Sequence, residues 1–525
     1  MLLCRKSRTF LKKYLNSIYE RCQLRFASTS LEKWKPTIGL EIHAQIATAS
    51  KLFSAASTSF TSPINSCVSL FDCAMPGTMP VLNEKCVEAG VLTALALCCE
   101  VHGVSVFERK HYFYPDLPAG FQITQQRKPL ASNGEISFLV FNPGVHKHPF
   151  LKSSKIKQVQ LEQDSGRSLH NEDDERSLID LNRAGIPLME LVFEPDLTDG
   201  EEAAALVKEL SLILQILGTC SCKMEEGALR VDANVSISKS DTCLGTRTEL
   251  KNIGSVRAVS NAIKYEIQRQ ISILEAGGEV VNETRGWDPL SKKTILMREK
   301  EEKHDYRFIP EANLPPLRVH VNENTDNKYN LINVPSLKKK LPKLPEQIRQ
   351  TLMEDFGITA YTTMAIMNDI DLLRLFDDIL EEGKDRSPQL VAQFLVSEIL
   401  GFLQQHELDL TFCTNNLSSI GELVDLLQGK VINYLILRRI LDKFISDPGK
   451  RPKQIIEENN WFMITDEEEL EKICLGVLEK NPKIVRKYKA GKTKLFSKLL
   501  LQVAIATDER ADMVQVTKIM TRLLS

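Results

Sequence analysis

The sequence predicts an α+β protein in which a mixed-sheet body precedes an all-helical region and a small helical tail. Three observations carry that expectation. From Trp34 to about Val321, alternating apolar and polar stretches are separated by Gly/Pro turns and a few strong helical patterns. The composition breaks at Leu314-Pro315-Pro316 and again at Leu341-Pro342-Lys343-Leu344-Pro345. Beyond Pro345 the apolar spacing is helical almost throughout, with a further break near Arg451-Pro452. The expected divisions are a leader at 1–30, the body at 34–325, a helical domain at 326–455 and a helical tail at 456–525.

The leader is basic and amphipathic. Arg5, Lys6, Arg8, Lys12, Lys13, Arg21 and Arg25 face a single acid, Glu20, while Leu11, Tyr14, Leu15 and Ile18 share one helical face before Ser28-Thr29-Ser30. That pattern is the one expected of a mitochondrial transit peptide, and so of a matrix protein. Over all 525 residues the net charge is −2 and 43% of residues are hydrophobic, which excludes a protein that binds nucleic acid through a global cationic excess. No apolar run reaches the roughly 18 residues of a membrane span. The 12 cysteines form no CxxC pair, as expected of reduced thiols outside the secretory route.

Within the body, the first strand pattern is Thr37-Ile38-Gly39-Leu40-Glu41-Ile42-His43-Ala44-Gln45. Ile38, Leu40 and Ile42 point one way, and Glu41 and His43 the other, ~6.5–7 Å apart, a spacing at which both can reach one cation. The segments Leu161 to Arg167 and Asp180 to Gly185 are dense in acids, amides and Arg and are expected to be turns. In Ile186 to Phe193, Glu190 interrupts an apolar run; buried there as a carboxylate it must face a polar cleft or meet a cation.

Two strand patterns then form an expected hairpin. Gly227 to Ile237 places Arg230, Asp232 and Asn234 on one face, and Thr246 to Asn252 does the same with Arg247, Glu249 and Lys251. Arg and Lys offset phosphate charge, and carboxylate and amide oxygens suit a hard cation such as Mg²⁺. A solvated sheet face with cross-strand ion pairs carries the same pattern. A helix follows from an N-cap at Ser255 to Gly277-Gly278, with Val256, Val259, Ile263, Ile267, Ile271 and Leu274 as its stripe. Gly491-Lys492-Thr493 imitates the end of a P-loop, but Arg486 stands where its first Gly belongs. The tail has an acidic start and then a basic stretch of Lys483, Arg486, Lys487, Lys489, Lys492, Lys494 and Lys498.

Taken together, Ile38 to His43, Arg109 to Pro118, Leu181 to Leu188, Met224 to Asn234, Glu249 to Asn252 and Asp305-Tyr306-Arg307 resemble the GatB family, the B subunits of glutamyl-tRNA(Gln) amidotransferases. The resemblance implies an ATP- and Mg²⁺-dependent carbon–nitrogen ligase. ATP phosphorylates the side-chain carboxylate of glutamate misacylated onto tRNA(Gln), and ammonia taken from glutamine then displaces phosphate. It implies two partner chains, a glutaminase that supplies the ammonia (the A chain of such complexes) and a small bracing protein (the C chain). By motif, Glu41, His43 and Glu190 correspond to metal ligands; Arg230, Asp232, Asn234, Arg247, Glu249 and Lys251 to nucleotide or metal-shell residues; and Lys110 to an ammonia-passage residue. The basic tail corresponds to the tRNA-binding end, meeting the phosphate backbone without reading bases.

Three positions depart from the family pattern. Gln163 replaces a carboxylate used near the metal and passage, and Ala119 stands where a Lys is frequent. Where some relatives carry a four-Cys zinc knot, Ser54 and Ala56 leave only Cys67 and Cys73, so no zinc is expected. Gln163 and Ala119 keep open a tRNA-binding scaffold without catalysis. A stand-alone ligase for a small acid accounts less well for the long basic tail.

Overall fold

A computed structural model describes residues 34–142, 145–146, 148–171, 175–239, 244–299, 305–447, 449–489 and 493–524. The leader and Lys492 lie outside the described residues. The described residues up to Gln347 form one compact unit, and those from Ile348 onward a second.

The first unit is built on nine strands: β1 (Lys35–Gln45), β2 (Glu100–Val101), β3 (Ala131–Val140), β4 (Phe150–Gln163), β5 (Pro187–Phe193), β6 (Leu229–Ser238), β7 (Thr248–Lys251), β8 (Glu283–Asp288) and β9 (Lys293–Glu299). Their order across the sheet is β9-β8-β7-β6-β1-β5-β4-β3-β2. The alternation read from the sequence decides the faces. Ile38, Leu40, Ile42 and Ala44 of β1 are fully buried, while Glu41 and His43 between them are partly open. Three helices cover the apolar side: α1 (Glu84–Ala96) against β4, and α2 (Gly200–Ile216) and α3 (Val256–Glu275) against each other and the sheet. The Ser255 hydroxyl caps α3 by accepting from Ala258 N at 3.1 Å, and Val259, Ile263 and Ile267 are buried in the core, as the stripe predicts.

Strands β6 and β7 pair antiparallel as expected, Asn234 opposite Glu249. The second strand is shorter than its pattern, starting at Thr248, so Arg247 precedes it and is exposed. The reason lies at Gly245, where a Cβ would stand 2.0 Å from the Ile237 carbonyl oxygen; the chain crosses close over β6 before it can join the ladder. From β7 the chain runs through α3 to β8, the parallel neighbour of β7, the connection a parallel pair requires. A second correction concerns Leu161 to Gln163. They end the 14-residue strand β4 instead of a turn, because Leu161 and Val159 continue its buried side.

A small sheet of Ile309–Pro310, Glu108–His111 and Phe121–Thr124 packs beside β4. The excursion after β1, which contains Ser54, Ala56, Cys67 and Cys73, is held by a fully buried ion pair, Lys51 Nζ to Asp72 Oδ2 at 3.1 Å. Lys51 also donates to the Leu181 carbonyl, and Ser54 to Asp72.

In the second unit all described elements are helical. Leu470, Cys474, Leu499, Val503, Val516 and Met520 centre a separate apolar cluster. Asn433 Nδ2 donates to Glu509 O at 2.7 Å, and Arg439 pairs with Asp508 at 3.0 Å, tying this cluster to the helix Tyr434–Ser446. The helix Pro482–Lys489 turns Ile484, Val485 and Tyr488 toward the cluster; Lys483, Arg486, Lys487 and Lys489 on it, and Lys494 and Lys498 after it, are exposed. No helix among the described residues is long and apolar enough to cross a membrane.

Candidate active site

The face of the sheet opposite the three helices carries polar side chains in three cross-strand rows. In the first, Gln160 of β4 lies opposite Glu190 of β5, Glu190 opposite His43 of β1, and His43 opposite Arg230 of β6. The second runs from Glu41 to Asp232, on to Lys251 of β7 and Gly286 of β8. Asn234, Glu249 and Thr284 make the third.

Around the first row the charges are crowded and dry. His43 Nε2 lies 3.9 Å from Glu190 Oε1, and His43, Glu190 and Glu162 each bring a ligand-type atom within 4.8 Å of the other two. Burial pushes both carboxyls well above the usual carboxylate range, with the Lys110 ammonium pulling the other way. Burial also holds the His43 imidazole below its usual value, so at neutral pH it presents a lone pair. Gln160 donates to Glu190, and Gln122 Nε2 to Glu162 Oε1 at 2.5 Å. Glu162 Oε2 is buried with no hydrogen-bond partner among the described residues. Two buried carboxylates, a neutral imidazole and an orphaned oxygen aimed at one point form a donor set that fits a divalent cation.

Lys110, from Glu108–His111, has its charge reinforced chiefly by Glu162 and lies with Nζ 5.3 Å from the centre of the Tyr306 ring. Tyr112 donates to Gln122, so a hydrogen-bonded chain runs from Tyr112 to Glu162. Arg230 is paired with buried Asp164 at 3.1 Å. In the second row Lys251 Nζ is 2.8 Å from Asp232 Oδ2 and 3.5 Å from Glu249 Oε1. Burial works against its charge, but these two carboxylates outweigh burial and hold it above the ordinary lysine value.

Most residues singled out in the sequence therefore share one face. Glu41 sits one row from the cation cluster, its Oε1 accepting from Asn234 Nδ2 at 3.0 Å. Arg247 lies outside the strands. Gln163 alternates away from Glu162 along β4, and its carbonyl accepts from Gln122 at 2.6 Å; Ala119 is exposed. Sequence reasoning missed Glu162 as a ligand candidate, although Gln158-Val159-Gln160-Leu161-Glu162 alternates as regularly as the other strands.

If His43 holds the cation, His43→Ala should raise the Mg²⁺ concentration needed for half-maximal activity by ~10-fold or more. An Mg²⁺ titration that superimposes on the wild type would leave His43 a structural hydrogen-bonding group.

Residues 36–324 match the family model of the GatB/GatE catalytic domain, and residues 374–524 match that of the GatB domain. The chain is 52% identical over 499 residues to the B subunit of the mitochondrial glutamyl-tRNA(Gln) amidotransferase of Aedes aegypti, covering 95% of this chain and 94% of that one. Against the human protein of the same name identity is 44%, covering 94% of this chain and 89% of the relative. The B subunit of the aspartyl/glutamyl-tRNA(Asn/Gln) amidotransferase of Rickettsia canadensis is 39% identical, with 94% of this chain and 98% of the relative covered.

Proposed function

Because the chain belongs to the GatB family of amidotransferase subunits, we propose that its sheet face activates the glutamyl carboxylate of Glu-tRNA(Gln) with ATP and passes it to ammonia. It acts in mitochondria as the B subunit of a Glu-tRNA(Gln) amidotransferase, a ligase working on tRNA. The observation that carries the finer reading is the sequence of charges across the sheet, from the His43, Glu162 and Glu190 cluster to the Lys251, Asp232 and Glu249 cluster.

Carboxylate oxygen is a poor leaving group and phosphate a good one, so amidation needs the carboxylate phosphorylated first. Phosphoryl transfer is catalysed mostly by positioning and by charge placed where charge develops. Lys251 binds phosphate oxygens, with Asp232 and Glu249 fixing its ammonium on one line of approach. Arg230, anchored by Asp164, offers its remaining guanidinium edge to the incoming carboxylate or phosphate. His43, Glu162 and Glu190 would hold Mg²⁺, which when bound would offset phosphate charge. Lys110 and Tyr112 stand at the Glu162 side, where ammonia from a separate glutaminase chain would arrive; a small third chain would complete the complex.

ATP hydrolysis by the assembled enzyme should rise on adding Glu-tRNA(Gln) and not on adding uncharged tRNA(Gln). No stimulation would reduce this chain to a tRNA-binding scaffold, the alternative that Gln163 and Ala119 leave open.

The exposed cations of Lys483 to Lys498 support backbone contact with tRNA. Replacing Lys483, Arg486, Lys487 and Lys489 by Gln should flatten the log–log salt slope of Glu-tRNA(Gln) binding by about 0.7–0.9 per lost phosphate contact, with the ATP KM unchanged. An unaltered slope would place the tRNA contacts elsewhere.

A further inference from the structure

Between α2 and β6 the chain carries two thiols one residue apart, Cys220 and Cys222, and neither has a place in the chemistry of the sheet face. Cys220 is buried; Cys222 is partly exposed, between the exposed Ser221 and Lys223. A left-handed backbone at Cys222, φ 59°, folds the segment back on itself, a conformation that few residues with a side chain adopt. The fold-back brings the Cys222 N–H to the Cys220 sulfur at 3.2 Å and sets the two thiols within hydrogen-bonding reach of each other. Cys220 Sγ donates to Ala228 O at 3.4 Å, and Cys222 Sγ lies 3.5 Å from Ser211 O of α2. Ala228 O also accepts from Gln45 N at 2.8 Å, and Ala47 N donates to Thr219 O at 2.9 Å. Next along the same ladder Ala44 pairs with Leu229 and His43 with Arg230. The thiols therefore sit where the end of β1 is tied to the start of β6.

We propose that Cys220 and Cys222 form a reversible dithiol–disulfide couple, closed by a hydroperoxide and opened by a thiol reductant, whose closure slows the reaction on the sheet face. One intervening residue keeps the two Cα atoms within about 7 Å, the span a disulfide bridges. Cys220 is the attacking sulfur. Hydrogen bonds from the Cys222 thiol, and then from the Cys222 and Gln45 N–H groups, hold it below the ordinary thiol value against burial, whereas the bond to Cys220 and burial push Cys222 up. The Cys220 thiolate attacks one peroxide oxygen; an S–O bond forms, the O–O bond breaks, and the departing hydroxide takes a proton to become water. The Cys222 sulfur then displaces the hydroxyl of the sulfenic acid. An S–S bond forms, the S–O bond breaks, and the hydroxyl leaves as water with the Cys222 proton, so the two thiols together lose the two electrons that the peroxide gains. A disulfide sulfur donates no hydrogen bond. The contacts to Ala228 O and Ser211 O are then lost, and the segment from α2 to β6 tightens beside the bond that ends the β1–β6 ladder.

The test treats the assembled enzyme with hydrogen peroxide, blocks free thiols with iodoacetamide and maps the peptides by mass spectrometry. The peptide holding Cys220 and Cys222 should lose two hydrogens and both alkylation sites, and dithiothreitol should restore them. In Cys222→Ser no bridge can form, so Cys220 should be captured as its sulfenic acid by dimedone. In Cys220→Ser, Cys222 should react with peroxide at least about tenfold more slowly. Resting on the proposed amidation, the second readout is rate: the wild type should slow about tenfold on oxidation and recover on reduction, while Cys220→Ser keeps its rate through the same treatment. Two thiols still alkylated after peroxide, as expected of small apolar filler, or Cys220 oxidised past the sulfenic acid without a bridge, would overturn the couple. A parallel loss of rate in wild type and Cys220→Ser would overturn its hold on the reaction. The peptide masses do not depend on turnover, so a wild-type enzyme without ATP-dependent amidation would overturn the proposed reaction and leave the couple to be decided by those masses.

Discussion

Glu162→Ala is expected to abolish ATP-dependent amidation while the protein still folds and assembles. Glu162 is almost fully dry, one of its oxygens has no hydrogen-bond partner among the described residues, and it converges with His43 and Glu190 on one point. An orphaned buried carboxylate oxygen is costly, and a cation held by this cluster would offset that cost. Removing the group deletes one of three converging ligands and the main partner of Lys110, so the loss should reach ~10³-fold in kcat/KM, the several kcal/mol that a bound cation contributes to charge stabilisation. Amidation near the wild-type rate would show that the cluster does not hold the cation.

Lys51→Ala should cost ~3–5 kcal/mol of stability, because it strands the Asp72 carboxylate in the interior. Both partners of this pair are almost completely excluded from water, at 0% and 1% side-chain exposure, so solvent cannot take over for a missing charge. Asp72 also gathers Ser54 and the Ser69 backbone, so the whole excursion after β1 depends on it. The control is Lys51→Met combined with Asp72→Asn, which removes both charges and should recover most of the lost melting temperature. Equal melting temperatures for Lys51→Ala and wild type would refute the pair's role.

The strands of the site were legible because period-two alternation survives burial on one face only. Glu41, His43, Arg230, Asp232 and Glu249 all stand where that pattern puts them. Three things were not legible. Arg247 lies off the strand because of a close backbone crossing at Gly245, which depends on tertiary position and not on local preference. Glu162 was hidden by its neighbourhood, since a run of acids, amides and Gly at 162–167 resembles turn chemistry even while its first two residues finish a strand. The grouping of His43 with Glu162 instead of Glu41 depends on cross-strand register, which sets Glu162 diagonally beside the Glu190–His43 pair and which no single segment encodes.

Register also has a cost in time. The first strand of the sheet in chain order is an interior one, pairing Glu41 with Val192 on one edge and Asp232 on the other. In a chain that leaves the ribosome amino end first, β1 must wait with two open edges and a fully apolar face until much of the body has followed. Contacts this distant in sequence make folding slow and keep a sticky strand available to other chains. The arrangement that gathers both charged clusters on one surface thus also sets how long β1 stays uncovered while the chain is being made.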